Sequence, residues 1–250
     1  LLLVLPTVFH VEPSPRNIPY RMYESMKRNG NVSLAIPLAV GDNYQGFRIV
    51  GTSGDFFTRY TYGDGRPLAV QPGGQAWAEF NPQRWEAVVG SYAAEKSGLK
   101  VGDRFNSYHG FVFNEAAKHA EMYTVTGVLE PTGTPVDRVI WVPLETYYLM
   151  SGHAPSDPNV EHEPGQMLAD EHKELSAVML KFKSPSYAFQ LSNMVNRQGK
   201  VATLAWPIGA VMAELFENLG WANRVLTLVT YLTVAVAAAS IMASMYNTMN

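Results

Sequence analysis

The C-terminal end of the chain is a long segment that carries no charged side chain. Residues 225–250 contain no Asp, Glu, Lys, Arg or His. A helix needs roughly 20 predominantly apolar residues to cross the hydrocarbon core of a bilayer. The sequence before residue 225 mixes polar and apolar side chains, as water-soluble domains do. The sequence therefore predicts an extramembrane domain that leads into a transmembrane helix at its C-terminal end.

The composition narrows the class of protein further. A chain of 250 residues can bury a full hydrophobic core. The net charge is −3 and no dense Lys/Arg cluster occurs, which argues against a nucleic-acid partner. There is no cysteine, so disulfides and thiolate chemistry are excluded for these residues. The 16 prolines and 20 glycines are spread along the chain and indicate a body rich in turns and strands.

Local patterns predict a mixture of strands and helices. Apolar runs at 32–40 and 44–52 flank Gly41-Asp42-Asn43, which predicts a hairpin that turns at 41–43. Asn17 is placed to cap a helix, and residues 201–206 predict a strand. The order of elements, strand and helix at both ends with a strand-rich middle, predicts an α+β fold.

Three segments carry a family signal through their order and spacing. They are RIVGTSGDFF (48–57), AVVGSYAAEKSGLKVGDRF (87–105) and YTVTGVLEPTGTPVDRVIWVPLETYYLM (123–150). Together they resemble the periplasmic core domain of MacB/FtsX-type ABC transporter permeases. In that family the domain lies between the first and second transmembrane helices and returns directly into the second. The resemblance covers nearly the whole chain.

The resemblance implies a division of the chain into parts. A porter-like α/β subdomain comes from residues 1–45 and 143–207, and a β-rich subdomain, residues 46–142, is inserted between them. A stalk helix follows at 208–224, and the transmembrane helix occupies 225–250. Both ends of the chain are interpreted as cuts in a longer membrane protein, with one transmembrane helix expected before Leu1 and two after Asn250.

The resemblance also implies a function. The chain would be a permease subunit in the bacterial inner membrane, with its main domain in the periplasm. It would pair with a second permease copy or a paralogue and couple a separate ABC ATPase to export or extraction of an amphiphile, peptide or lipoprotein. A periplasmic adaptor or substrate-binding protein belongs among the partners that the family allows.

The chain itself is not predicted to be an enzyme. No Walker A sequence occurs in it, so ATP is expected on the partner ATPase and no cofactor is expected in this chain. No nucleophile–base pair or carboxylate pair stands out. Two alternatives stay open: a permease of a metal-linked, zinc-handling ABC system, and a membrane-tethered periplasmic binding or sensor module without a transport role.

Histidines supply the candidate metal ligands. His153, His162 and His172 lie in one polar stretch, residues 151–173, together with several carboxylates. Imidazole and carboxylate are suitable ligands for zinc and other transition metals. Their spacing matches no established ligand pattern, and a solvated acidic loop would have the same composition. His109 and His119 flank a predicted hairpin turn and form a second candidate pair.

The predicted membrane helix carries two further candidate features. Ala235, Ala239 and Ala243 recur at a spacing of four, which favours close packing of two helix backbones. A helix that merely contains alanine would look the same. Trp221 and Arg224 suit the membrane interface, where an indole ring lies at headgroup depth and a guanidinium reaches toward water.

Overall fold

The computed structural model describes residues 17–79, 81, 84–110, 114–151, 153, 165–198 and 202–249. Within these residues the chain combines helices with a mixed sheet, which confirms the predicted α+β class. The contacts divide the chain into two compact units, one ending at Leu204 and the other beginning at Ala205.

The first unit contains twelve strands and five helices among its described residues. The strands are β1 (Ile18–Pro19), β2 (Val32–Tyr44), β3 (Phe47–Thr52), β4 (Thr61–Tyr62), β5 (Arg66–Pro67), β6 (Glu86–Val89), β7 (Arg104–Phe105), β8 (Tyr108–His109), β9 (Tyr123–Val128), β10 (Val139–Pro143), β11 (Glu174–Leu175) and β12 (Ala177–Phe182). The helices are α1 (Tyr20–Arg28), α2 (Asp55–Arg59), α3 (Ser91–Ser97), α4 (Leu144–Leu149) and α5 (Pro185–Gln198). Short 3₁₀ turns occupy Glu115–Ala117 and Pro135–Arg138.

One eight-stranded sheet organises this unit. Its order is β12-β2-β3-β10-β6-β9-β7, and β8 pairs with the far end of β2. β10 runs parallel to β3, and β6 runs parallel to β9, so the sheet is mixed. Strands from both predicted subdomains share this sheet, and the division into a porter-like and a β-rich part stays a prediction.

The core lies on both faces of the central strand β10, whose five residues VIWVP are all buried. Because side chains alternate along a strand, Val139 and Trp141 join one apolar cluster while Ile140 and Val142 join another. The ring of Trp141 packs against Phe56 of α2, with centroids 4.1 Å apart. A strand that is buried on both faces needs a continuous apolar run, which is what this segment supplies.

The β2–β3 hairpin differs from its prediction in one respect that matters for function. The predicted turn at residues 41–43 is wrong, because the chain reverses at Gln45-Gly46, where both φ angles are positive (49° and 87°). β2 continues through residues 41–43, and its pairing with β3 shifts between Val40 and Asp42. This bulge leaves Asp42 buried, with 2% of its surface exposed.

Two other local predictions are corrected. Helix α1 begins at Tyr20, and no side chain caps its first turn. The Asn17 side chain, which was expected to cap it, instead donates to Glu174 Oε2 at 2.9 Å, beside the short β1–β11 pair. Residues 202–206 are not in a strand.

The second unit contains helix α6 (Ile208–Met249). Asn223–Thr248 is long and apolar enough to cross a membrane, with a mean hydropathy of 2.1, and none of it is buried in the structure. The hydroxyls of Thr227, Thr230 and Thr233 donate to carbonyls one turn earlier. These polar groups therefore have partners inside the helix, which lipid surroundings require.

Candidate metal centre

The bulge in β2 places the buried carboxylate of Asp42 next to three histidines. Asp42 Oδ2 accepts a hydrogen bond of 2.9 Å from Ser107 Oγ. Asp42 Oδ1 faces three imidazole nitrogens: Nδ1 of His109 at 3.2 Å, Nε2 of His119 at 3.4 Å and Nε2 of His153 at 3.2 Å. We call Asp42, His109, His119 and His153 the Asp42 cluster. Its ligand atoms all lie within 4.8 Å of one another.

Three separate segments bring the histidines to Asp42. His109 ends β8 and is the direct cross-strand partner of Asp42 in β2. His119 follows the 3₁₀ turn, and its backbone N–H donates to Ser107 O at 2.9 Å. His153 comes shortly after α4, and its backbone N–H donates to Met150 O at 3.3 Å. The site is thus assembled by tertiary structure rather than by a local sequence motif.

Backbone carbonyls contact two of the imidazole rings at Nδ1, the nitrogen that faces away from Asp42. His119 Nδ1 lies 2.7 Å from Ser151 O, and His153 Nδ1 lies 2.6 Å from Tyr147 O. Ser151 is itself held by Glu121, whose carboxylate accepts from the Ser151 N–H at 3.1 Å and from its hydroxyl at 2.9 Å. A metal-ligating histidine commonly donates its second ring N–H to a carbonyl in this way, which fixes the ring and its tautomer.

Burial differs across the cluster. The side chains of Asp42, His119 and His153 are 1%, 4% and 7% exposed, whereas that of His109 is 46% exposed. His119 Nε2 is buried and makes no hydrogen bond of good geometry with any described residue. Three of the four side chains in the cluster are therefore buried, and the cluster reaches solvent at His109.

The electrostatics of the cluster follow from this burial and proximity. Burial raises the pKa of Asp42, but the neighbouring imidazoles of His109, His119 and His153 outweigh it, and the pKa lies well below its usual value. Burial lowers the pKa of His119, but Asp42 and the Ser151 carbonyl outweigh it, so its pKa is raised. Asp42 is accordingly an anionic ligand at neutral pH.

The structure rearranges the histidines that the sequence proposed. It brings His153 from the first candidate set together with His109 and His119 from the second. His172 is not part of this group and lies 3.4 Å from Glu171, and His162 lies outside the described residues. Asp42 was not predicted as a ligand, because its surroundings in sequence resemble a hairpin turn.

The candidate residues of α6 are separate from this cluster. Ala235, Ala239 and Ala243 are exposed on one face of the helix, as their spacing predicts. Trp221 (68% exposed) and Arg224 are also exposed. Their predicted roles in helix packing and at the membrane interface stay predictions.

Comparison with known proteins identifies relatives for the first unit. A family model described as the MacB-like periplasmic core domain matches residues 3–197. The extracellular domain of the noncanonic ABC-type transporter YknZ from Gram-positive bacteria is 14% identical, with a TM-score of 0.46, over 78% of this chain and 91% of that one. The periplasmic region of MacB from Actinobacillus actinomycetemcomitans is 11% identical, with a TM-score of 0.45, over 74% and 77%. No protein with curated annotation matches significantly.

Proposed function

Because the chain belongs to the family of MacB-like periplasmic core domains, we propose that it is the periplasmic domain and adjoining membrane helix of an ABC transporter permease. In this proposal a separate ATPase drives movement of the helix, and the domain transmits that movement to the export or extraction of an amphiphile, peptide or lipoprotein. A second permease copy or a paralogue completes the transporter, and the inner membrane holds it.

One observation carries this proposal. The segment that matches the family is followed on the same chain by a helix with a 26-residue candidate membrane span, none of which is buried in the structure. A soluble binding domain that acts alone in the periplasm has no need for such a helix, and a membrane-tethered binding module would need it only as an anchor. A mechanical link between the membrane and the domain does need it, because a continuous helix transmits displacement along its axis.

The proposal is tested by asking whether nucleotide moves the domain. The 250 residues contain no cysteine, and Phe189 on α5 is 57% exposed, so Phe189→Cys offers a labelling site. The full-length permease, free of other cysteines, is spin-labelled at this position and reconstituted with its partner ATPase. We expect the distance between the labels of two permease copies to shift when ATP and vanadate trap the ATPase.

A matched control separates coupling from nonspecific effects. An ATPase whose Walker A lysine is replaced should leave the label distances unchanged when the same nucleotide is added. Unchanged distances with the intact ATPase, or a gene neighbourhood without an ATPase, would favour the tethered binding or sensor module instead. The metal-linked permease is the other alternative, and the Asp42 cluster is the observation that bears on it.

A further inference from the structure

The proton positions in the Asp42 cluster leave several acceptor atoms facing one another. A carbonyl oxygen only accepts hydrogen bonds, so the contacts to Ser151 O and Tyr147 O place a proton on Nδ1 of His119 and of His153. In a neutral imidazole the opposite nitrogen, Nε2, then carries a lone pair. Both Nε2 atoms lie within 3.4 Å of Asp42 Oδ1, which is also an acceptor.

Such a convergence of acceptors is relieved either by protonating the rings or by binding a metal cation between them. Protonating both rings would place two positive charges on imidazoles whose centroids are 5.0 Å apart, with one buried carboxylate to offset them. A divalent metal ion carries the same total charge of +2, but it would accept the facing lone pairs and the carboxylate oxygen at a single point. We infer that the Asp42 cluster binds a divalent transition-metal ion, with zinc as the preferred ion.

The distances suit this assignment. Zinc bonds of about 2.0–2.1 Å arranged as a tetrahedron separate neighbouring ligand atoms by roughly 3.3 Å. The three distances from Asp42 Oδ1 to the imidazole nitrogens, 3.2, 3.4 and 3.2 Å, match that edge. All four ligand atoms lie within 4.8 Å of one another, so a tetrahedral site would need the widest pair to close by at most about 1.5 Å.

The chemistry of the donors favours zinc over harder cations. Three imidazole nitrogens and one carboxylate suit zinc, copper or nickel, whereas calcium and magnesium prefer oxygen ligands. Four protein donors fill a tetrahedral shell, as in structural zinc sites. A full shell of protein ligands is typical of a structural ion rather than of a transported one.

A metal ion at this position would cross-link three segments of the domain that are far apart in sequence. It would join the bulge of β2 to the segment between β8 and β9, and to the residues after α4; His153 and Asp42 are 111 positions apart in sequence. Since the unfolded chain does not hold these groups together, the free energy of metal binding would add to the free energy of unfolding. The inference concerns the stability of the domain and does not depend on the proposed transport function.

The test is metal binding by the full chain purified in detergent. After loading with zinc and dialysis, elemental analysis should find one ion per chain. Zinc in excess of its Kd by about 100-fold should raise the Tm by roughly 5 °C or more, and calcium or magnesium should not. Cobalt in place of zinc should give the intense visible absorption of a tetrahedral cobalt site.

Two histidine variants make the test specific. His109→Ala removes the exposed ligand, so the metal-free protein should fold and melt like the parent. It should lose the zinc-dependent rise in Tm and bind zinc at least about 100-fold more weakly. His172→Ala removes a histidine that is outside the cluster and should bind zinc like the parent.

Each contrary result overturns the inference. The inference fails if the parent protein retains no zinc and added zinc leaves its Tm unchanged. The cluster would then be protonated and free of metal. Equal zinc affinity in the parent and in His109→Ala places the metal elsewhere. If His172→Ala loses zinc binding while His109→Ala keeps it, the metal is also bound elsewhere.

Discussion

At the scale of single residues, Glu145 illustrates how burial acts on a charge in this fold. It lies in the first turn of α4 and is partly buried. Burial raises its pKa above the usual 4.5, and this outweighs its backbone hydrogen bond and the attraction of Lys173 and Lys27. Burial raises the pKa values of Tyr20, Tyr23 and Tyr148, and the nearby Glu145 charge raises them further, so their hydroxyls stay neutral.

The sign of the effect on stability follows from this shift. A carboxyl whose pKa is higher in the folded state contributes stability that is present below pH 4.5 and is lost as the pH rises through the folded pKa. We therefore expect Glu145→Gln, which keeps the shape without the charge, to raise the Tm at pH 7 by about 1–2 °C. The gain should disappear as the pH is lowered toward 4, in thermal melts across that range.

A second carboxylate provides the control for this prediction. Glu95 on α3 is 68% exposed, so Glu95→Gln should leave the Tm nearly unchanged at every pH. A lower Tm for Glu145→Gln at pH 7 would mean that the attraction of Lys173 and Lys27 outweighs the cost of burial.

Individual residues also show where prediction from sequence stops. His109 and His119 could be proposed as a pair because they flank a turn, and His153 because it lies among carboxylates. Asp42 could not, because its burial depends on the bulge between Val40 and Asp42. A bulge depends on pairing with the neighbouring strand and leaves no clear pattern in the chain itself.

At the scale of secondary-structure elements, α6 offers the sharpest prediction. If Ala235, Ala239 and Ala243 form a face where two permease copies pack, Ala239→Leu should separate the helix backbones. We expect this variant to weaken pairing by about 1 kcal/mol or more, which lowers the dimer equilibrium constant about five-fold. The measurement is chemical cross-linking of the full permease in membranes.

The helix contains its own control for that experiment. Ala237 lies two residues from Ala239, about 200° around the helix, and is equally an exposed alanine. Ala237→Leu makes the same chemical change on the opposite face and should leave the cross-linked fraction unchanged. Equal cross-linking of both variants and the parent would show that the alanine spacing reflects composition only.

The elements differ in how well their sequences predict them. The composition of residues 225–250 predicts helix α6, and an apolar run that ends at Pro143 predicts strand β10. The bounds of the short strands β7 and β8 are harder to predict, because two-residue strands are defined by their partners rather than by their own periodicity. The turn at Gln45-Gly46 lies only a few residues beyond the predicted one, a common size of error for element boundaries.

At the scale of the whole molecule, the proposed function fixes the side of the membrane on which the domain lies. The family match and the candidate span support a domain outside the cytoplasmic membrane, with the end of α6 near the cytosol. Strand pairings within the domain, such as β10 with β3, would be the same on either side of the membrane and do not report its orientation.

Cysteine labelling of intact cells tests this orientation. Lys100 is exposed on a turn of the domain, and Asn247 is exposed near the end of α6. In a cysteine-free full-length permease, Lys100→Cys should react with a membrane-impermeant maleimide once the outer membrane is opened. Asn247→Cys should react only after the inner membrane is also permeabilised, because it lies at the end of the candidate span, Asn223–Thr248, that is far from the domain in sequence. If Lys100→Cys is protected until that second step, the domain faces the cytosol and the proposed transport direction fails with it.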